Sequence, residues 1–231
     1  MGMSWGYSES TNDENESIST IHEAIELGVE LFDTADVYGD GHNETLVGRA
    51  LSGRRDQVVL ATKCGHVLDD LATKRVHRDG SPEHIRAAVR ASLSRLGTDV
   101  IDLYYLHRVD DNVPLAESWG AMSELVAAGL VRSIGLSEVT VEQAAQAHAL
   151  HPVAAIQSEL SLWSRDPLGT GPADDPDGGR VYRRLMTSLE EAPGVLGWGE
   201  PAELQARAAA RVARTQWRLP VDSPTAPGYA D

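Results

Sequence analysis

Between residues 17 and 160 the hydrophobic period switches back and forth, from the three-and-four spacing of a helix to a short unbroken apolar run. Ile18, Ile21 and Ile25 share one helical face that stops at Gly28, and a short strand is expected over 29–33. A helix over 43–51, ending near Gly53, precedes the run VVLATK at 58–63, which has the composition of a strand buried on both faces. Ser81 as N-cap, Pro82 at the first helical position and Glu83 in the first turn open the next helix, which Gly97 closes. Strands over 100–107, 131–136 and 154–158 and helices over 115–128 and 140–150 complete the pattern, the last helix opening on a capping box made by Thr140 and Gln143. Alternation of this kind sets parallel strands side by side, joined by right-handed crossovers through helices.

Both a doubly wound sheet and a (β/α)8 barrel satisfy that alternation, and the polar punctuation separates them. Asp33, Lys63, His107, the pair Ser137 and Glu138, and the run Gln157, Ser158, Glu159 each fall at or just past the C-terminal end of a successive strand. In barrels nearly every strand carries chemistry at that end. A doubly wound nucleotide binder concentrates its signal in a Gly-rich turn after the first strand, and neither G-x-G-x-x-G nor G-x-x-x-x-G-K-[ST] occurs. The expected fold class is therefore α/β, of the (β/α)8 TIM-barrel type. About five parallel strands are recognisable, too few to close such a barrel. The expected architecture is accordingly incomplete, with open sheet edges that invite self-association.

The barrel portion is expected over 1–166. Residues 167–180 form a Gly/Pro/Asp-rich loop or linker, and 181–231 a helical C-terminal segment of unusual composition with a frayed tail. Arg207, Arg211, Arg214 and Arg218 lie on one stripe of that helix, the pattern of a solvated face.

The chain has 231 residues, with 20 Lys and Arg against 35 Asp and Glu, a formal charge of −15. Such a surface repels phosphate backbones, so nucleic-acid binding is not expected. A single cysteine, Cys64, excludes an internal disulfide framework and fits a reducing cytoplasm. No apolar run approaches the length of a membrane span, and the N-terminal MGMSWGYSES has no signal-peptide pattern, so the expected location is cytoplasmic, away from membranes.

Asp33, Tyr38, Lys63 and His107 form a chemically coherent set. A phenol acts as a general acid near neutral pH when a neighbouring ammonium favours its phenolate, and a carboxylate keeps that ammonium charged in a partly dry pocket. A neutral imidazole can donate to a carbonyl oxygen and orient it. The four groups can protonate a developing alkoxide, but a hydride must come from a cofactor, for which a nicotinamide is the natural donor. Two other readings compete: Lys63 as a Schiff-base lysine, and a metal held by His42, His66 and His107 at one barrel mouth. No H-x-H or H-E-x-x-H spacing supports a metal, and none is expected.

Several of these segments together resemble one family. The sequence FDTADVYG at 32–39 is similar to the D-x-A-x-x-Y-G signature of the aldo-keto reductases, ATK at 61–63 to their strand-end lysine, and LYYLH at 103–107 to their strand-end histidine. IGLSE at 134–138 resembles their I-G-[VL]-S-N segment, with Glu138 in place of the commoner Asn, and IQSE at 156–159 their Q-x-[EN] segment. The resemblance runs to about residue 166 and implies a (β/α)8 barrel that reduces aldehydes or ketones with NADPH. By matched position it implies Tyr38 as proton donor, tuned by Lys63 and Asp33, with His107 orienting a small-molecule carbonyl substrate. It further implies that Ser137, Glu138, Gln157 and Met3 face the cofactor and that Trp5 lines the substrate pocket. The family's first strand and its last two βα units have no counterpart here, so an inactive remnant or binding module is the alternative expectation.

Overall fold

Parity decides which side of the sheet each residue serves. In a computed structural model of the chain, residues 3–4 and 13–159 are described. They all belong to one compact unit, Met1–Val195; the second unit, Leu196–Asp231, lies outside the described residues, as do Trp5, the 167–180 stretch and the Arg stripe. The elements run α1 (Glu14–Glu26), β1 (Leu31–Asp33), α2 (His42–Leu51), β2 (Val59–Cys64), β3 (His66–Asp70), β4 (Arg75–Arg78), α3 (Pro82–Leu96), β5 (Ile101–Leu106), α4 (Leu115–Ala127), β6 (Val131–Ser137), α5 (Val141–Leu150) and β7 (Ala155–Gln157).

The local signals act as their chemistry requires. The Ser81 side chain accepts from His84 N at the start of α3, and Gly97 closes that helix in the left-handed region at φ 63°. Thr140 and Gln143 form the reciprocal capping box of α5. Helix α1 starts earlier than its isoleucine stripe because Asp13 caps it, its side chain accepting from Asn15 N.

Strands β1, β2, β5, β6 and β7 form one parallel sheet in that order. In-register partners in parallel strands share a face, and the ladders pair Lys63 with Tyr105, Tyr105 with Gly135, and Gly135 with Ala155. Odd-numbered strand residues therefore occupy one face and even-numbered residues the other. The even face carries Phe32, Leu60, Cys64, Tyr104, Leu106, Ile134 and Leu136, all buried in the apolar core against the helices. Cys64 belongs to that layer, and burial pushes its thiol far above the ordinary range, so it is inert. The odd face carries Asp33, Lys63, Ser137 and Gln157 at its C-terminal ends.

That odd face is concave. Four strand spacings of about 4.8 Å would separate β1 from β7 by about 19 Å in a flat sheet. Instead Gln157 Nε2 on β7 lies 3.3 Å from Asp33 Oδ2 on β1. The sheet is curled into a half-barrel with its helices outside.

One element escapes the sequence pattern. After β2 the chain makes an antiparallel hairpin, β3 with β4, with a register shift between Leu68 and Asp70. Its residues are mostly polar and half-exposed, so no apolar run betrays it. Among the described residues no helix is long and apolar enough to cross a membrane.

Helices α2 and α3 cross where Gly48 faces the end of α3. A Cβ there would sit 2.6 Å from Leu96 O and 2.8 Å from Arg95 O. Both obstacles are backbone, so they cannot swing away. Gly48→Ala is expected to lower stability by about 2 kcal/mol, the scale of core overpacking, despite alanine's better helix propensity. Urea unfolding followed by circular dichroism checks this, and a stabilised variant would contradict the crossing.

Candidate active site

The turn after β1 is stitched to the end of β2 by its backbone. Thr34 N donates to Ala61 O at 3.0 Å, Asp36 N to Lys63 O at 3.1 Å, and Tyr38 N to Ala35 O at 3.2 Å. Thr34 Oγ1 donates to the buried Asn43 Oδ1 at 2.7 Å, and Asn43 Nδ2 donates to Ser4 Oγ at 3.1 Å. Gly39 then turns the chain at φ 62°, where a Cβ would meet Ser4 O at 2.9 Å. These ties aim Tyr38 back over the end of β2.

Lys63 is the centre of the cluster. Its side chain is only 1% exposed. Nζ donates to Asp33 Oδ2 at 2.5 Å and to Thr34 O at 2.8 Å, and it lies 5.2 Å from the centroid of the Tyr38 ring. The His107 ring meets Tyr38 edge-on, with centroids 5.9 Å apart. His107 is held by its own backbone, His107 N donating to Cys64 O at 2.8 Å. Asp33, Tyr38, Lys63 and His107 thus come together at the C-terminal rim.

Burial sets the protonation states. It lowers the His107 pKa to about 2, with His66, Lys63 and Arg108 adding to the effect. The ring is therefore neutral across the neutral pH range. His107 Nδ1 is buried without a hydrogen-bond partner, which leaves Nε2 as the nitrogen able to donate. Burial pulls Lys63 below its ordinary range, and Asp33 pushes it back up. Tyr38 departs from expectation. Burial, followed by the Asp33 carboxylate, pushes its phenol above the usual value, and the opposing pull comes from Arg108.

The remaining predicted residues distribute along the same rim. Ser137 ends β6, almost fully buried, and its Oγ accepts from Arg108 Nη1 at 3.1 Å. Gln157 ends β7, its amide on Asp33. Glu138 sits in the left-handed region at φ 52°, a conformation Asn adopts more readily than Glu. Its Oε1 accepts from Glu159 N at 2.6 Å and its own N–H donates to Gln157 O at 2.9 Å, so it ties the β6 and β7 ends together. Met3 is half-buried against the core. Trp5 lies outside the described residues.

Three contributors carry little sequence signal. The Thr34 carbonyl that holds Lys63 has no side-chain signature. His66 stacks on His107 with centroids 4.4 Å apart, and burial lowers its pKa to about 4. Arg108 is flagged only by following His107. His42 is elsewhere, hydrogen-bonded to Ser4 Oγ at 2.8 Å and Glu14 Oε1 at 2.9 Å. No group of His, Cys, Asp or Glu among the described residues is arranged to hold a metal.

Comparison with known proteins gives the family. A sequence model of the aldo/keto reductase family matches residues 2–170. A probable aldo-keto reductase from Glycine max is 43% identical over 167 residues, covering 72% of this chain and 47% of its own length. The chain therefore spans about half of that relative. An aldo-keto reductase from Bacillus halodurans, solved in its holo form, superposes with a TM-score of 0.64 at 32% identity, covering 96% of this chain and 72% of its own. One from Klebsiella pneumoniae, solved with NADP and acetate, gives a TM-score of 0.60 at 26% identity, covering 90% and 71%. A match over most of the sequence, with like structures beneath it, makes the chain a member of the aldo/keto reductase family.

Proposed function

We propose that this chain reduces aldehyde or ketone carbonyls with NADP(H), Tyr38 supplying the proton. One observation carries the reading: Lys63 Nζ bridges Asp33 and Thr34 O while lying over the Tyr38 ring, with a neutral His107 edge-on to the same ring. A phenol, an amine, a carboxylate and an imidazole in mutual reach suit protonation of an alkoxide and leave only the hydride to be supplied. A bound nicotinamide supplies that hydride. His107 orients the carbonyl by donating from Nε2, and the Tyr38 hydroxyl hands its proton to the oxygen as charge develops there. Asp33 fixes Lys63, and Lys63 fixes the ring.

The residues present fit the cofactor. Ser137 brings a hydroxyl to the rim beside Arg108, and Gln157 a primary amide beside Asp33. Together they offer the donors and acceptors that complement a carboxamide. Met3 and Glu138 are the further cofactor-facing candidates and Trp5 the substrate-facing one. NADP is preferred over NAD by analogy with the Klebsiella pneumoniae relative.

Titrating the purified chain with NADPH while following nicotinamide fluorescence tests the reading. Saturable binding in the micromolar range is expected, weaker for NADH. An absence of binding in a chain that melts cooperatively would favour an inactive binding module instead.

A further inference from the structure

Arg108 is a charged side chain on the rim that the chemistry above does not use. The half-buried arginines Arg54, Arg55, Arg86 and Arg95 pair with Glu26, Asp102, Glu124 and Glu44 respectively. Arg108, also half-buried, pairs with no carboxylate among the described residues, in a chain whose formal charge is −15. A guanidinium with no carboxylate partner can take an anionic ligand.

Its placement says which kind. Arg108 Nη1 donates to His107 O at 2.6 Å and to Ser137 Oγ at 3.1 Å, so the guanidinium bridges the ends of β5 and β6 beside the carbonyl-orienting histidine. Both contacts use Nη1. Nε and Nη2 make no hydrogen bond to the described residues, and that edge is the one that engages a carboxylate with two parallel bonds. Lys63 is matched by Asp33, and His66 and His107 are neutral. Arg108 also pulls Tyr38, Lys63, His66 and His107 toward lower pKa, which places its charge within reach of the whole cluster.

We propose that Arg108 is a specificity residue that selects carbonyl substrates bearing a carboxylate. The inference rests on the reductase reading and deepens it by naming the substrate class. A carboxylate reaching Arg108 from a carbonyl held by His107 and Tyr38 would belong to a short oxo-acid or a formyl-substituted aromatic acid.

The test pairs isosteres that differ in charge alone. The full chain is titrated calorimetrically with benzoate and with benzamide, and turnover is compared for 3-carboxybenzaldehyde and 3-formylbenzamide. Charged hydrogen bonds of this type correspond to a preference of about 10- to 100-fold for the acid. Arg108→Gln is expected to abolish the preference by raising the acid's KM and weakening benzoate without doing so for the amides. Arg108→Lys, a point charge, should keep part of it. Equal affinity for benzoate and benzamide in the native chain would overturn the proposal. So would an unchanged preference in Arg108→Gln, or a loss confined to NADPH affinity, which would assign Arg108 to the cofactor. A benzoate preference that depends on Arg108 in a chain that reduces neither aldehyde would uphold the anion site and reject the reductase reading.

Discussion

Replacing Tyr38 with Phe will slow carbonyl reduction by about 100- to 10,000-fold, the range over which a positioned general acid acts. The substitution removes one oxygen and keeps the ring that packs against Lys63 and meets His107 edge-on. NADPH affinity should therefore stay within a factor of about two, because the expected carboxamide contacts come from Ser137 and Gln157. Steady-state kinetics beside fluorescence titration separates the two effects. A variant that keeps native turnover would remove Tyr38 from the proton-donor role.

The pH profile carries a second signature of the same residue. A donor must be protonated, and the Tyr38 pKa is raised above the ordinary phenol value of about 10. Reduction should then lose rate only as pH rises through that raised value. Alcohol oxidation needs the phenolate and should gain over the same alkaline range. His107, with a pKa of about 2, is neutral throughout the neutral range and contributes no acidic limb there. A reduction limb near pH 7 would point to a different donor, or to a bound cofactor that reverses the shift.

Arg95→Met is expected to cost about 3–5 kcal/mol of folding stability, the penalty for stranding a buried charge. Glu44 is fully buried in the first turn of α2, its carboxylate accepting from Thr62 Oγ1 at 2.6 Å and from Arg95 Nε at 2.6 Å. Without the guanidinium, the buried carboxylate keeps one neutral donor, Thr62 Oγ1. The double variant Glu44→Gln with Arg95→Met removes the charge as well and should recover a large part of the loss. Urea midpoints of Arg95→Met, Glu44→Gln and the double variant form the cycle. Two losses that simply add would show that the pair contributes no coupling. The network also bears on the site, because Thr62 is the residue before Lys63. Glu44 grips the outer face of β2 while Asp33 and Thr34 grip its inner face one residue later.

The fold was legible because two periods coincide in this sequence. Apolar side chains on the even strand positions cover the core, and polar residues at Asp33, Lys63, Ser137 and Gln157 share the odd parity that faces the cavity. His107 follows the last residue of β5 and keeps that parity. Helix starts were equally plain where a side chain does the capping, as at Ser81 and Thr140. The β3–β4 hairpin was not legible, because its half-exposed strands need no apolar pattern. Nor was the electrostatic state of Tyr38. Sequence places an ammonium near the phenol, but only the fold shows that the Thr34 carbonyl and the Asp33 carboxylate have already claimed it. Arg108 escaped for a related reason: its importance lies in the carboxylate it lacks, and a missing partner leaves no motif.

The central proposal is that this rim protonates the oxygen of a carbonyl group whose carbon takes a hydride from a nicotinamide. Incubating the chain with an aromatic aldehyde and NADPH deuterated at C4 on the transferred face, then weighing the product by mass spectrometry, tests it directly. The account predicts an alcohol carrying a single deuterium on the former carbonyl carbon, formed far more slowly by Tyr38→Phe. Alcohol without deuterium, or no alcohol from a folded chain that binds NADPH, would contradict it.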